Sequence, residues 1–259
     1  MKKDQCVIAC LPSPEDAQSV LPYARLCATQ LGKRLVLLNV SHDGQSEWLK
    51  DYDLPYIGLK GEWKPAIDGL PTTLGGVLML APLSPKAPRS ALAHPATLLR
   101  NFADCKTAYI AVPSDTRPQP PRHVALSIDH RRESKEKLIW GSYFVRFFGS
   151  TLTVACPSYR DAGLLRQQAN NMQFLDKMYR SLGVDYNKAT IPQSTATSPD
   201  LSALRVLAPD LLIALATDRR DRDLGDWLFG SPELRLLKLP SIPPILLLNQ
   251  RDDLYVLCD

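Results

Sequence analysis

Two basic segments in the second half of the chain could bind an anion. Asp129–Arg132 contains a carboxylate, a histidine and two consecutive arginines, and Thr217–Arg222 contains three arginines and two aspartates. Guanidinium groups bind phosphate and carboxylate through paired, charge-assisted hydrogen bonds. Two interpretations follow. The segments form a site for a phosphate-bearing ligand, or Asp218, Asp221 and Asp223 neutralise the arginines in a solvated loop.

A third segment, Gly230–Glu233, has the pattern of a helix start. Ser231 can cap the first turn and Pro232 fits the first helical position, so capping alone explains both residues and contributes roughly 0.5–2 kcal/mol. The same backbone N–H groups would bind a phosphate, because helix N-termini attract anions. Both explanations remain open at this stage.

Residue patterns that indicate catalysis are absent from the sequence. It has no Walker lysine motif, no G-x-S-x-G, no H-E-x-x-H and no G-x-G-x-x-G. The four histidines lack motif partners, and only His130, beside Asp129, lies near the proposed anion site. We therefore expect a protein that is not an enzyme.

Composition excludes several classes of protein. The 259 residues suffice for two domains, and 45% hydrophobic with 22% charged residues is typical of globular proteins. A net charge of +4, without a basic run interleaved with aromatic residues, argues against nucleic acid as a partner.

The sequence has no apolar run long enough for a membrane span and no signal peptide, which predicts a cytoplasmic protein. Six scattered cysteines without a C-x-x-C pair predict neither disulfides nor a metal site.

Apolar periodicity predicts alternating strands and helices in the first half. Gln5–Leu11 and Arg34–Val40 have the apolar pattern of buried strands, and Glu15–Leu31 between them has helical spacing that ends at Gly32. After a weak helix near Ser46–Tyr52 we expect little regular structure up to residue 73. The remaining predictions are a strand at Gly75–Ala81, a loop at Pro82–Arg89, a helix at Pro95–Ala103 and a strand at Thr107–Val112.

The second half repeats this order at a shift of 117 residues. Val7 aligns with Val124, Leu21 with Leu138 and Gly32 with Gly149, without a gap from Cys6 to Ser41. We predict a first domain at 1–114, a proline-rich linker at 115–122 and a second domain at 123–259. The fold class is α/β, with two tandem doubly wound, mostly parallel five-stranded sheets flanked by helices, a Rossmann-like arrangement.

The second half continues with a long helix, Asp161–Leu182. Its apolar stripe is expected to pack in the core and consists of Leu164, Leu165, Ala169, Met172, Leu175, Met178 and Leu182. Further predictions are strands at Val184–Ile191, Leu211–Ala216 and Ile245–Leu248, and a helix at Ser198–Leu207 capped by Ser198 or Asp200. Leu254–Cys258 is expected to add a short terminal strand or to dock on the other domain.

In the order and spacing of these segments, the chain resembles tandem universal stress proteins. The resemblance rests on a strand ending in an acidic residue at Val124–Asp129, on Pro209–Ala214, on Gly230-Ser231 and on a last strand introduced by Ile242–Pro244. It implies a stress-response protein with an adenine-nucleotide-hydrolase-like fold. It also implies an internal pseudo-dimer in which Thr107–Val112 pairs with Ile245–Asn249, with a further homodimer possible.

Nucleotide-binding members of that family have the loop pattern G-x2-G-x9-G-S/T. Counted back from Gly230-Ser231, the first two glycines fall on Thr217 and Arg220, so this chain departs from the pattern where backbone must approach phosphate closely. Asp129 resembles the nucleotide-side aspartate of the family, and Arg131 lies beside it. Pro12 and His94-Pro95 occupy the equivalent positions in the first half, which lacks the site.

The resulting site prediction lists the residues that would face a ligand: Asp129, Arg131, Thr217, Arg220, Gly230 and Ser231. We expect no cofactor. The alternative is ATP, AMP or another phosphate ligand, bound or slowly hydrolysed in the second-domain cleft. A relative of the electron-transfer flavoproteins, which share the nucleotide-binding architecture, is a third interpretation.

Overall fold

The computed structural model describes residues 5–192, 201–216 and 231–249. The chain divides into two compact units. Unit 1 consists of Met1–Gln119 and Leu237–Pro244, and unit 2 consists of Pro120–Leu236 and Ile245–Asp259.

The five strands of unit 1 are parallel and lie in the order β3-β2-β1-β4-β5. Its elements are β1 (Cys6–Cys10), α1 (Pro14–Leu31), β2 (Arg34–Ser41), β3 (Tyr56–Lys60), α2 (Trp63–Leu74), β4 (Gly76–Leu83), α3 (Pro95–Phe102) and β5 (Tyr109–Pro113). A 3₁₀ helix at Glu47–Tyr52 occupies the position of the short helix expected there.

The predicted start and end of α1 follow from two residues. The Ser13 hydroxyl accepts a hydrogen bond from the Asp16 amide at 3.1 Å, which satisfies one of the free N–H groups of the first turn. Gly32 ends the helix in the left-handed conformation, with φ of 61°. β1 is buried along its whole length, as expected for a parallel strand covered on both faces.

The expectation of little regular structure up to residue 73 is wrong, because β3 and α2 lie there. β3 is an edge strand with alternating exposure, so its sequence lacks the continuous apolar pattern of the buried strands. α2 contains Pro65 and Pro71, and proline content obscured its periodicity. β4 also continues beyond the predicted limit through Pro82 and Leu83, where we expected a loop.

The five strands of unit 2 are also parallel and lie in the order β10-β9-β6-β7-β8. Its elements are β6 (His123–Ser127), α4 (Glu136–Phe148), β7 (Thr151–Pro157), α5 (Ala162–Leu182), β8 (Asn187–Ile191), β9 (Leu211–Leu215), α6 (Pro232–Leu237) and β10 (Ile245–Leu248). A 3₁₀ turn at Arg132–Lys135 precedes α4, and Leu201–Leu207 is 3₁₀ rather than α-helical. The proposed caps Ser198 and Asp200, and the segment Leu254–Cys258, lie outside the described residues.

Counted from the start of each unit, the strand order is the same in both: third, second, first, fourth, fifth. The chain order reverses between the first and fourth strands, which in unit 2 are β6 and β9. Ligands of doubly wound sheets bind beyond the carboxyl ends of the strands at this reversal. Asp129 follows β6 and therefore lies at that point.

The prediction that the apolar stripe of α5 packs in the core is confirmed only in part, because four of its seven residues are half-buried and Leu165 and Ala169 are exposed. Of the seven stripe residues only Leu175 is fully buried, and Leu165 is 43% exposed. The other buried residues of α5 are Gln168, Asn171 and Tyr179. Polar side chains take the inner face because carbonyl groups at the strand ends require hydrogen-bond donors.

Two amides on this inner face anchor α5 to the sheet. Gln168 Nε2 donates to the carbonyl oxygens of Ile128 at 3.2 Å and Pro157 at 3.1 Å. Asn171 Nδ2 donates to the carbonyl oxygens of Asp129 and Arg131, both at 2.8 Å. The segment that follows β6 is thereby held against α5.

Within the described residues, every helix is either too short or too polar to cross a lipid bilayer.

Candidate functional site

Asp129 has a fully buried side chain, and both oxygens of its carboxylate accept hydrogen bonds from Arg131. Its Oδ1 accepts a hydrogen bond from the Arg131 amide at 3.0 Å. Its Oδ2 accepts from Arg131 Nε at 3.0 Å and from Arg131 Nη2 at 2.6 Å. A carboxylate that hydrogen-bonds the amide two residues on is a common turn geometry for aspartate. One residue therefore engages both oxygens of the carboxylate.

The surrounding backbone fixes this pair in place. The Asp129 amide donates to Ser134 Oγ at 3.2 Å, inside the 3₁₀ turn that leads into α4. Asn171 holds the carbonyls of Asp129 and Arg131 from the opposite side. Local turn geometry and a distant helix thus position the same two residues.

Lys137, in the first turn of α4, is a second buried cation and was missed by the sequence analysis. It is 1% exposed, and its Nζ donates to Ser127 Oγ at 3.4 Å. Helical spacing could have revealed it, because Ser134, Gly141 and Phe144 lie on the same buried face. A lysine on that face just after an aspartate-ended strand is an unusual pattern.

Glu233, in the first turn of α6, adds a second buried acid at 2% exposure. Burial alone would lower the pKa of Arg131, but Asp129 and Glu233 raise it above its ordinary value. We use the name buried charge cluster for Asp129, Arg131, Lys137 and Glu233, of which Arg131 keeps 20% of its side chain exposed. Its two acids and two bases balance in charge, which reduces the cost of keeping ions away from water.

The pKa values within the cluster reflect competition between burial and neighbouring charge. Burial alone would raise the pKa of Asp129, but Arg131 and Lys137 outweigh it and lower the pKa to about 2. For Lys137 burial dominates and lowers the pKa to about 8, although Asp129 favours the charged amine. Asp129 is therefore ionised at neutral pH, and Lys137 titrates near pH 8.

His130 and Tyr159 form a contact beside the cluster. His130 Nδ1 and the Tyr159 hydroxyl are 3.1 Å apart, and the two rings meet edge to face with centroids 5.3 Å apart. Burial lowers the pKa of His130 and raises the pKa of Tyr159. Both groups are consequently neutral at pH 7, and the contact is a hydrogen bond between neutral side chains.

The predicted site residues divide between described and undescribed parts of the chain. Asp129 and Arg131 are in direct contact, and Ser231 is buried at the start of α6, where its carbonyl accepts from the Arg235 amide at 3.0 Å. Thr217, Arg220 and Gly230 lie outside the described residues, as do the other arginines and the aspartates of that loop. In the described part of the chain, no three histidine, cysteine, aspartate or glutamate residues converge to hold a metal ion.

Within the described residues of unit 1, the buried charge cluster has no counterpart. At the 117-residue shift, Asp129 corresponds to Pro12, Arg131 to Pro14 and Lys137 to Val20, which are not ionisable. Val20 is fully buried. In unit 1 the strand-end carbonyls of Leu11 and Pro12 accept hydrogen bonds from Asn39 Nδ2, at 2.7 and 3.3 Å. The same element order thus encloses an apolar interior in unit 1 and a charged one in unit 2.

Solved structures with this arrangement include a universal stress protein from Archaeoglobus fulgidus DSM 4304. It aligns over 96% of this chain and 97% of its own, at 11% identity with a TM-score of 0.65. The chain has the fold of universal stress proteins. A putative universal stress protein from Pseudomonas aeruginosa UCBPP-PA14 aligns over 95% and 93%, at 13% identity and a TM-score of 0.61.

The universal stress fold also occurs outside stress proteins. The cytoplasmic domain of a prokaryotic cation chloride cotransporter aligns over 95% of this chain and 96% of its own, at 10% identity and a TM-score of 0.53. Neither the protein-family models nor the curated proteins gave a match to the sequence. At these identities the structural similarity establishes the fold, and function has to be argued from the site.

Proposed function

We propose that the chain is a non-enzymatic stress-response protein of the universal stress type. The observation that carries the proposal is the state of Asp129, whose buried carboxylate is satisfied internally by Arg131. An aspartate that receives a ligand needs an acceptor oxygen open to that ligand. In this chain both oxygens of Asp129 accept hydrogen bonds from Arg131, so we infer that Asp129 stabilises unit 2 and does not bind a ligand.

Displacing Arg131 from Asp129 would carry a large free-energy cost. Breaking a buried ion pair without replacing it costs about 3–5 kcal/mol, and a ligand that binds Asp129 offsets only the part of this cost that its own hydrogen bonds supply. A cost of that size, where the ligand does not offset it, would reduce the affinity of a competing ligand by about two to four orders of magnitude. The cluster therefore disfavours nucleotide binding that uses Asp129.

Binding or slow hydrolysis of ATP, AMP or another phosphate ligand remains the alternative. It rests on the arginines of Thr217–Arg222, which lie outside the described residues. A ligand held by that loop alone would not require Asp129. Phosphate-ligand binding therefore predicts that substitutions of the loop arginines weaken binding, whereas the non-enzymatic stress protein predicts no binding to weaken.

Ligand titration of the whole chain separates the two functions. We expect no rise in melting temperature with ATP, AMP or inorganic phosphate at millimolar concentration, because the aspartate is already occupied. We also expect no phosphate release from ATP and no nucleotide by mass spectrometry of the purified protein. A rise that disappears in Arg220→Ala, but persists in the control Arg205→Ala on the exposed surface of Leu201–Leu207, would favour the alternative.

The stress role itself requires a test in the source organism. Deleting the gene should lower survival during starvation or oxidant exposure, and reintroducing the wild-type gene should restore it. Survival equal to that of the parent strain under every stress applied would contradict the role.

The proposal includes an internal pseudo-dimer formed through the last strand of each unit, as the resemblance to tandem universal stress proteins implies. We expect the chain to remain one sedimenting particle after mild proteolysis within Ser114–Arg122, because strand pairing would outlast the cut linker. Two separately sedimenting fragments would contradict this pairing. Intact chain treated in parallel without protease provides the reference sedimentation coefficient.

A further inference from the structure

One face of α4 carries an apolar ridge that the core of unit 2 covers only in part. Ile139, Tyr143 and Phe147 follow one another at intervals of four residues, which places them in line over about 12 Å. Ile139 is 49% exposed, the other two are half-buried, and the Tyr143 and Phe147 rings lie 5.7 Å apart. Single exposed apolar residues are ordinary, but an aligned set rimmed by charge is typical of an interaction surface.

The ridge extends in both directions. Lys135, four residues before Ile139, lies with its Nζ 4.9 Å from the centroid of Phe174, a 46%-exposed ring on α5. At the other end the Arg146 guanidinium lies 5.8 Å from the Phe147 ring. We call the surface formed by Lys135, Ile139, Tyr143, Phe147 and Phe174 the α4 ridge.

The charges along α4 make its outer face complementary to itself. Glu136 begins the helix and Arg146 lies in its last turn, so a second α4 running in the opposite direction brings each glutamate to an arginine. The same antiparallel arrangement places Ile139 opposite Tyr143 and Lys135 opposite Phe147, because all three pairs share one midpoint at the level of Gly141. A parallel arrangement would instead place like charges together.

We propose that the α4 ridge is the docking surface for a second copy of this chain, with the two α4 helices antiparallel about a two-fold axis. An interface between identical surfaces must be self-complementary, and the pairs Ile139–Tyr143 and Glu136–Arg146 satisfy this condition. Cation–π contact between Lys135 and Phe147 of the two copies would add to the apolar contact. This dimer is independent of ligand binding and of the proposed stress role.

The size of the surface sets the strength of the dimer. Stable protein interfaces bury about 1,200–2,000 Å² in total, and a single pair of 13-residue helices buries less. The interface is therefore expected to be weak and reversible, because little contact free energy remains after the entropic cost of association.

Sedimentation velocity of the whole chain across the micromolar range tests the proposal. The wild type should shift from monomer to dimer, and Ile139→Asp should raise the dissociation constant at least tenfold by burying a carboxylate in the ridge. Val206→Asp is the matched control, because Val206 is 87% exposed and lies in Leu201–Leu207 rather than on α4. A wild type that stays monomeric at several hundred micromolar, or a dimer that Ile139→Asp leaves intact, overturns the proposal.

Charge exchange tests the antiparallel geometry. Glu136→Arg and Arg146→Glu should each weaken self-association, and the double variant Glu136→Arg/Arg146→Glu should restore it by re-forming both ion pairs in reverse. Equimolar mixing of the two single variants should also yield a dimer. Failure of both restorations, in variants with wild-type circular dichroism and melting temperature, contradicts the antiparallel pairing.

Discussion

Replacing Asp129 with asparagine is expected to lower the free energy of unfolding by about 3–5 kcal/mol. Asparagine keeps the shape of the side chain but removes its charge, which leaves the buried Lys137 and the 20%-exposed Arg131 with only Glu233 as a counter-ion. The side-chain oxygen of the asparagine can still accept a hydrogen bond from Arg131. Its NH₂ group, however, replaces an oxygen that accepted from Arg131, so two hydrogen-bond donors face each other. Urea denaturation at pH 7, monitored by far-UV circular dichroism, measures the loss.

An exposed ion pair provides the control for this variant. Asp104→Asn removes a partner of Lys64 on the surface of unit 1, where we expect a change of at most about 1 kcal/mol. A loss of similar size at the two positions would mean that burial does not strengthen the Asp129–Arg131 interaction.

The same carboxylate makes the protein sensitive to acid. The folded-state pKa of Asp129 is about 2, below the ordinary value of 3.8, so the unfolded chain takes up a proton first as pH falls. The stabilising contribution is complete above about pH 4 and decreases toward pH 2. The Asp129→Asn variant should lack this part of the acid dependence.

Lys137→Met is expected to abolish a rise in stability at alkaline pH. The folded-state pKa of Lys137 is about 8, below the ordinary value of 10.5, so between these values the unfolded chain holds a proton that the folded chain has released. The free energy of unfolding therefore increases with pH in this window, by about 1.4 kcal/mol per pH unit. Between pH 7 and 10 the wild type should gain about 2–3 kcal/mol more than the methionine variant.

Denaturant unfolding at half-unit pH steps measures this difference directly. Lys64→Met serves as the matched control, because Lys64 is an exposed lysine and its pKa is raised through hydrogen bonding to Asp104 rather than lowered by burial. Its stability profile above pH 7 should follow that of the wild type. Parallel profiles for the wild type and Lys137→Met would mean that the Lys137 amine is not held in a low-polarity environment.

The presence of the buried charge cluster in unit 2 is also a difference between the two units. Unit 1 reaches the same strand order with Pro12 and Val20 at the positions of Asp129 and Lys137. The charges are consequently not required for the strand order itself. Asp129 follows β6 at the strand-order reversal, where doubly wound sheets bind ligands, and its carboxylate is hydrogen-bonded by the chain's own Arg131.

Elements with strong local signals could be predicted from the sequence. The continuous apolar runs of β1 and β9 predicted buried strands, and Ser13 and Gly32 predicted the ends of α1, because capping depends on residues close in sequence. β3 and α2 escaped prediction because an edge strand buries little and prolines interrupt helical periodicity. On α5 the apolar stripe predicted the helix correctly and Leu175 of its inner face, but not the buried polar residues Gln168 and Asn171.

The sequence by itself determined the alternating α/β order and placed Asp129 and Arg131 at the carboxyl end of a strand. Only the tertiary structure decided that these two residues bind each other, that Lys137 and Glu233 join them, and that Gln168 and Asn171 occupy the inner face of α5. Apolar burial leaves a regular spacing in the sequence, because every residue on one face of a helix or strand contributes to it. A polar cluster leaves none, because its members come from separate elements and meet only when those elements pack.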